Sequence, residues 1–445
     1  MKKKVLVLGA GMVAGPLVSY LARHGFHLTV TDIDLSKARA KAEGLKNVQP
    51  LRVDSGNTAG IEDLIRENDL VISLLPAQMH PRIARLCIQN RRGMVTASYV
   101  SPAMETLDRD AQSAGVILLN EIGADPGIDH LSAMRLFDQA RSRGGRITSF
   151  LSCCGGLPAP QANTNPMGYK FSWSPLGVLK AAASEARYLR DGETVVVNPR
   201  DLFSHYWLVD TGDFGVFEAY PNRNSLEYID LYGLSGISTL CRGTFRNISH
   251  CETWHALARL GFFSTEPDLE KIDCSIRRYL LRHLLKVNEK EDPKTMLMKK
   301  LGLSDSSVVL RKFQWLGLFD DRPLPRRSGT PMDILAAIMM EKMAYRSGEQ
   351  DMLLMHHDIT AEYPESRERI TSTLMEVGER DGDSAMARTV GLPAAIAARM
   401  ILEDRIRLSG VLRPLTREIY NPILDELARL GITLAEKVVS TEEIR

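Results

Sequence analysis

The sequence predicts an α/β protein. Its N-terminal domain reads as a doubly wound parallel sheet, followed by an α+β domain and a helical insertion. Three observations carry this. Strand and helix patterns alternate from the start to about residue 125, the arrangement that places helices on both faces of a parallel sheet. The first apolar run enters Gly9-Ala10-Gly11-Met12-Val13-Ala14 directly, a glycine-rich turn that opens a helix. After Asp129 the texture changes: Gly, Pro and aromatic residues crowd Gly155 to Pro175, and helical periodicity dominates from about 265 to 350.

The elements follow in order. Val5–Leu8 has the length and apolarity of a buried parallel strand. A helix is expected from about Val13 to His24, then a strand from His27 to Thr31 that ends in Asp32. Further strands are expected at Pro50–Val53, Leu70–Ser73, Met94–Thr96 and Val116–Leu119, with helices Ser36–Gly44, Thr58–Glu67, Pro81–Asn90 and Ala103–Ala114 between them. In the second half, Ile147–Cys154 and Glu193–Val197 read as strands with a helix, Leu176–Arg190, between them. Leu269–Val287, Asp292–Leu301 and Pro331–Arg346 read as helices, Met352–Ile359 and Ser366–Val377 as strands, and Ala385–Ile406 and Glu418–Leu430 as helices.

Composition narrows the classes of function. The 445 residues are 44% hydrophobic and 25% charged, with a formal net charge of +1, so no overall field favours nucleic acid or a membrane surface. Six cysteines without a CxxC pair point to a reducing, cytoplasmic setting. The ten histidines show no metal-ligand spacing, so no metal is expected. No apolar run reaches the length of a membrane span, and the run after Met-Lys-Lys-Lys is only a strand long, so it does not read as a leader.

The glycine-rich turn names a ligand class. Gly9 allows the tight turn, Gly11 lets the backbone approach a pyrophosphate, and Ala14 is small enough for the helix to pack on the strand. Met12 and Val13 lie in the turn, where the helix N-terminus offers N–H groups and a positive dipole end to phosphate. Asp32, about 20 residues on, completes the Rossmann fingerprint. An acid there accepts from the adenosine ribose hydroxyls and repels a 2′-phosphate, which favours NAD over NADP. The competing reading is that Asp32 only caps a loop, and Arg23 and Lys37 are near enough to complicate the argument against NADP. In such sheets the ligand lies beyond the carboxyl ends of the strands. That edge holds Asp54, Leu74-Leu75-Pro76, Ala97-Ser98-Tyr99 and Glu121 to Pro126. Asp54, Leu75, Ala97 and Asp125 therefore join the expected cofactor residues.

Eight further segments occur in one order. They are Asp69-Leu70-Val71-Ile72-Ser73-Leu74-Leu75-Pro76, Met94-Val95-Thr96-Ala97-Ser98-Tyr99, Asp125-Pro126-Gly127-Ile128-Asp129-His130 and Cys154-Gly155-Gly156-Leu157-Pro158-Ala159-Pro160. Tyr169-Lys170-Phe171-Ser172-Trp173-Ser174-Pro175, Tyr220-Pro221-Asn222-Arg223, Arg242-Gly243-Thr244-Phe245-Arg246 and Thr389-Val390-Gly391-Leu392-Pro393 complete the set. Together they resemble saccharopine dehydrogenases of the L-glutamate-forming type, and the dehydrogenase half of animal aminoadipic semialdehyde synthase. The resemblance covers nearly the whole chain and is weakest from about 265 to 350. It implies the reaction saccharopine + NAD(P)⁺ + water to L-glutamate, 2-aminoadipate 6-semialdehyde and NAD(P)H, in lysine metabolism. It also implies a homodimer, and it leaves open whether a separate lysine–ketoglutarate reductase partners the chain. The implied division is a dinucleotide domain over 1–128, a substrate and dimerisation domain over 129–264 and a helical domain over 265–350. Return strands follow over 351–384, and helices over 385–445 rejoin the first domain. Fungal members carry a Cys-Arg-Thr-like stretch where this chain has Thr31-Asp32-Ile33, a departure that agrees with NAD.

Saccharopine carries three carboxylates and two amines, so its site needs cations, preferably bidentate arginines. The resemblance assigns Arg223 and Arg246, with Thr244 beside the latter, to substrate, and places Ser98 and Tyr99 on it as well. Lys170 is a further carboxylate candidate, against a plain surface lysine. Cys154 and Trp173 are expected to line the pocket, with core packing as the alternative for each. Asp125 is the ionisable candidate beside the nicotinamide, and with Tyr99 it forms the expected catalytic pair; the competing reading makes Asp125 a helix cap before Pro126. His130 reads as a hydrogen-bonded structural histidine. Two other functions compete with this one. A reductase for another amine-linked substrate, such as carboxynorspermidine, would need fewer carboxylate ligands than Arg223 and Arg246 offer. A non-catalytic dinucleotide sensor would need none of these residues.

Overall fold

The computed structural model describes residues 3–266 and 272–440. The chain divides into two compact units, Met1–Gly145 with Gly378–Ala435, and Arg146–Val377 with Glu436–Arg445.

The first unit is built on β1 (Lys4–Leu8), β2 (His27–Asp32), β3 (Val48–Arg52), β4 (Leu70–Ser73), β5 (Gly93–Val95) and β6 (Ile117–Leu119). With a short strand, Gly410–Leu412, they form one sheet in the order Gly410–Leu412, β6, β5, β4, β1, β2, β3. Every pairing is parallel. Val5, Leu6, Val7 and Leu8 are all but fully buried, as a strand covered on both faces requires. β1 pairs with β2 on one side and β4 on the other, so the strand order reverses at β1. A crevice for ligands opens at that reversal.

The helix Ala14–Arg23 buries Leu17, Val18 and Leu21. The helix Ala385–Leu402 packs on it so closely that a Cβ on Gly391 would lie 2.7 Å from the Val13 carbonyl oxygen. This second helix is long and apolar enough to cross a membrane, with 18 residues of mean hydropathy 1.3, but it is 72% buried as a core helix. The helix expected over Ala103–Ala114 is broken into Pro102–Glu105 and Asp108–Ala114. The Thr106 hydroxyl bonds back to the Ala103 carbonyl, and the turn between the two pieces puts Leu107 into the core.

The second unit contains β7 (Arg146–Pro158), β8 (Ala186–Arg190), β9 (Glu193–Val197), β10 (Trp207–Asp210), β11 (Val216–Pro221), β12 (Thr239–Arg246), β13 (Asp351–Glu362) and β14 (Arg367–Val377). The sheet runs β10, β11, β12, β7, β13, β14, with Ala435–Ser440 on its edge and the β8–β9 pair beside β12. The helix expected over Leu176–Arg190 is a shorter helix, Pro175–Ala182, followed by β8. The signal that decides it is Asp191-Gly192: both residues have positive φ, 50° and 85°, as a two-residue hairpin turn demands. β8 and β9 pair antiparallel across that turn.

Part of the helix expected over Leu269–Val287 lies outside the described residues. The described part starts at Ile276, capped by Ser275, and continues as a wider turn from Leu280 to Leu285. The helices between Ile276 and Met343 share one core with Tyr169, Phe203 and Trp254 of the sheet-bearing part.

Candidate active site

The glycine-rich turn is shaped by its backbone. Gly9 has φ 101°, donates its amide to the Thr31 carbonyl at 2.9 Å, and has no room for a side chain: a Cβ there would sit 3.1 Å from the Leu74 carbonyl oxygen. A Cβ on Gly11 would meet nothing within 4 Å. The space above Gly11 is therefore not required by the protein's own packing, and it suits a group that approaches the backbone closely. Val13 makes no side-chain capping bond and the first turn of the helix Ala14–Arg23 carries no acid of its own, so its end is uncapped; Asp383 and Lys41 lie beside Gly15. Met12 is exposed and Ala14 fully buried.

Asp32 closes the other side of the turn. Its carboxylate accepts from the Ala10 amide and from the Asp34 amide, each at 3.0 Å. These residues fit a dinucleotide: a cradle at Gly11, an uncapped helix end, and a fixed carboxylate at the end of β2. Asp54 is exposed and accepts from the Gly56 amide at 2.8 Å. Leu75 and Ala97 are half-buried beyond β4 and β5.

Ser98, Tyr99 and Asp125 lie at the same edge of the sheet, all half-buried. The Tyr99 hydroxyl donates to Asp125 Oδ1 at 3.2 Å. Ser98 shares a 2.9 Å hydrogen bond with His80 Nε2. His80 also meets Ser73 and Thr96, at 3.0 and 3.2 Å. It is buried, and burial pushes its pKa down to about 4, so the ring is neutral near pH 7. No motif marks His80 in the sequence; its only signal is its place shortly after a strand end.

His130 is fully buried and donates from Nε2 to Glu121 at 2.9 Å, the structural role its position suggests. Burial would raise the Glu121 carboxyl, but the hydrogen bond and charge of His130, the Val100 amide and the Arg413 guanidinium outweigh it and hold its pKa below the ordinary value.

In the second unit, β12 carries Thr244 and Arg246 two residues apart, hence on one face. Thr244 stands opposite Tyr220 of β11 and opposite Cys154 of β7. Arg246 is 5% exposed. Its guanidinium lies 4.8 Å from the centre of the Tyr169 ring and 5.7 Å from that of Tyr220, a cation over two aromatic faces. One terminal nitrogen donates to the Phe245 carbonyl at 2.7 Å, while Nε has no partner. Among the described residues no carboxylate pairs with it. A buried cation left in this state is ready for an anion. Tyr169 and Tyr220, raised above the ordinary phenol value mainly by burial, stay protonated beside it.

The other expected substrate residues are placed differently. Lys170 is 3% exposed and is committed to Glu349 at 2.5 Å and to the Thr164 hydroxyl at 3.2 Å. Trp173 is 36% exposed, with its ring against Gly177. Arg223 is exposed, two residues beyond β11, with φ 56°. Tyr169 and Tyr220 belong to segments singled out in the sequence, but aromatic faces under an arginine leave no spacing rule to find them by.

Comparison with known proteins identifies the family. Residues 5–119 match the family described as saccharopine dehydrogenase NADP binding domain, and residues 123–432 match the saccharopine dehydrogenase C-terminal domain. The Saccharomyces cerevisiae protein named saccharopine dehydrogenase [NADP(+), L-glutamate-forming] is 37% identical, over 99% of this chain and 100% of its own length. The Schizosaccharomyces pombe protein of the same name is 36% identical over 98% and 99%. The mouse mitochondrial alpha-aminoadipic semialdehyde synthase is 37% identical over 97% of this chain, which spans 47% of that protein's length; the Arabidopsis thaliana synthase is 36% identical, with 45% of its length spanned. A solved structure of apo saccharopine dehydrogenase (L-Glu forming) from Saccharomyces cerevisiae superposes with a TM-score of 0.89 at 36% identity, covering 98% of this chain and 100% of that one. Two family domains matched in order, relatives matched end to end, and a dinucleotide cradle at Gly9 to Asp32 lead to one conclusion: the chain belongs to the saccharopine dehydrogenase family of NAD(P)-dependent oxidoreductases.

Proposed function

We propose that the chain oxidises saccharopine with NAD(P)⁺ and water to L-glutamate and 2-aminoadipate 6-semialdehyde. The observation that carries the substrate is Arg246, a buried guanidinium held over Tyr169 and Tyr220 with no carboxylate partner among the described residues. A substrate carboxylate completes it. Arg223 and Thr244 are the further proposed carboxylate ligands. Lys170 already has Glu349 as its partner, which favours a structural ion pair for it. Cys154 and Trp173 are proposed as walls, with no nucleophilic step assigned to the thiol.

The nicotinamide, when bound, accepts the hydride from the carbon beside the secondary amine. The rest is work for this chain's own groups. That amine must be neutral as the hydride leaves, and an imine is then attacked by water. Asp125, with its Oδ1 held by the Tyr99 phenol, is the proposed carboxylate at this nitrogen: it pairs with the charged amine on arrival and takes or relays its proton. Ser98, oriented by neutral His80, is a proposed polar contact of the substrate. Gly9, Gly11, Met12, Val13, Ala14, Asp32, Asp54, Leu75 and Ala97 are the proposed dinucleotide residues, and Asp32 supports NAD as the better cofactor.

The same proposal includes a homodimer, supported by Leu208 and Val216, exposed apolar residues on adjacent strands β10 and β11. It includes a lysine–ketoglutarate reductase as the supplier of saccharopine, supported by the resemblance to the synthases. A cytoplasmic setting is supported by the absence of any disulfide among the six cysteines.

The test is steady-state oxidation of saccharopine, followed by absorbance of the reduced nicotinamide, with NAD and NADP in parallel. Turnover is expected with both, faster with NAD. A folded protein that binds NADH but turns over no saccharopine overturns the substrate.

A further inference from the structure

Glu121 is the second residue after the strand β6. It is 1% exposed and holds a left-handed backbone, φ 55°, which a residue with a side chain adopts only where its surroundings impose it. Its carboxylate receives three donors. The Val100 amide and Arg413 Nε reach Oε1 at 3.0 and 2.9 Å, and His130 Nε2 reaches Oε2 at 2.9 Å. The amide of Glu121 in turn donates to the Ser98 carbonyl at 3.1 Å. One residue thus grips the backbone immediately before and immediately after Tyr99.

The same carboxylate also bonds at one end of the segment that carries Asp125. That residue lies in the loop between Glu121 and His130, and the contact between those two side chains closes the loop at its base. Beside His130 the same base is fastened again: Asp129 Oδ1 accepts from the Gly127 amide at 2.6 Å. Arg413 arrives from the other end of the chain, just beyond the strand Gly410–Leu412, and donates to Glu105 as well as Glu121. A buried carboxylate with three donors in strained backbone is a costly way to fill space. Its economy lies in fastening, from one point, the backbone beside Tyr99 and the end of the segment that carries Asp125.

We propose that Glu121 is a positioning residue for the oxidation of the substrate amine, setting the Tyr99 phenol against the Asp125 carboxylate, with Arg413 and His130 holding Glu121 in place. The proposal rests on the reading of Tyr99 and Asp125 as the pair that meets that amine. It concerns residues of the dinucleotide unit only.

Fluorotyrosine placed at position 99 of the full-length protein gives a readout independent of turnover. In Glu121→Gln the fluorine resonance is expected to move toward its position in Asp125→Asn, kcat for saccharopine to fall roughly tenfold or more, and the dissociation constant for NADH to stay within about twofold of wild type. Arg413→Lys is expected to keep the wild-type resonance, and Arg413→Met to shift it. If Glu121→Gln does not fold, the Arg413 pair decides in its place. An unmoved resonance with unchanged kcat, and a loss confined to melting temperature, overturns the proposal. Failure of the wild-type protein to oxidise saccharopine, with the resonance still moved in Glu121→Gln, overturns the substrate assignment and leaves the positioning of Tyr99 standing.

Discussion

Asp32 Oδ2 accepts a hydrogen bond from the amide of Ala10 at 3.0 Å, so the acid that ends β2 is tied to the turn that follows β1. Its other oxygen accepts from Asp34. The carboxylate is therefore held in place before any cofactor arrives, and a 2′-phosphate would meet a fixed negative charge. Asp32→Asn keeps an acceptor for one of these amides and removes the charge. We expect the ratio of kcat/KM for NADP to that for NAD to rise about tenfold or more, the scale of one charge-assisted contact. Steady-state kinetics with both cofactors measures it, and an unchanged ratio would show that discrimination lies elsewhere.

Gly9 and Gly11 are two residues apart and do different work. At Gly9 a side chain faces both a positive φ and the Leu74 carbonyl. Gly9→Ala should destabilise the fold by roughly 1–3 kcal/mol, the cost of a forced backbone, seen as a lower urea midpoint. At Gly11 a side chain meets no protein atom. Gly11→Ala should leave the urea midpoint unchanged and weaken NADH binding by roughly tenfold or more, because the methyl occupies the approach to the pyrophosphate. Fluorescence titration of NADH separates the two. Normal affinity in Gly11→Ala would move the cofactor away from this turn.

Arg246, as the proposed carboxylate ligand, should cost stability in the free protein. Its guanidinium is buried without a carboxylate among the described residues, so the free protein bears its desolvation without the compensation of an ion pair. Arg246→Met fills the same space over Tyr169 and Tyr220 with an apolar chain. We expect a urea midpoint equal to or above wild type, since such replacements are often neutral or stabilising by about 1–4 kcal/mol. The KM for saccharopine should rise roughly a hundredfold. A destabilised variant with unchanged KM would make Arg246 structural.

The parallel sheet was legible because its strands are short apolar runs set off by turns, and because Gly9 to Ala14 and Asp32 carry geometry as well as polarity. The second unit was harder to read. Ala186–Arg190 has no strict alternation and continues a helix-forming run, so only the Asp191-Gly192 turn betrays the hairpin, and the strand Gly410–Leu412 is too short to show a period. At the candidate site, Tyr99 and Asp125 were legible by residue type and by position beyond expected strands, whereas Arg246 came from the family resemblance and ends β12, a strand the sequence did not announce. Glu121, His80 and Arg413 stand behind those residues: Glu121 bonds the backbone of Ser98 and Val100, His80 the Ser98 hydroxyl, and Arg413 the Glu121 carboxylate. Arg413 meets Glu121 from 292 positions away, a separation at which a single sequence carries no pattern.

His80 makes stability depend on pH in a defined window. Burial lowers its pKa from 6.5 to about 4 in the folded state. Below pH 6.5 the unfolded chain takes up a proton that the folded protein refuses, so stability falls as pH drops from 6.5 and the loss levels off below about 4. The full loss is about 3 kcal/mol for a shift of this size. His250, buried and held neutral in the same sense, adds to the slope, so the quantity to measure is the difference between wild type and His80→Asn. Urea midpoints from pH 7 to pH 4 should converge between the two proteins as acid removes from wild type what the variant never had. Parallel curves would show that the fold does not lower the His80 pKa, and would remove burial as the reason its ring stays neutral beside Ser98.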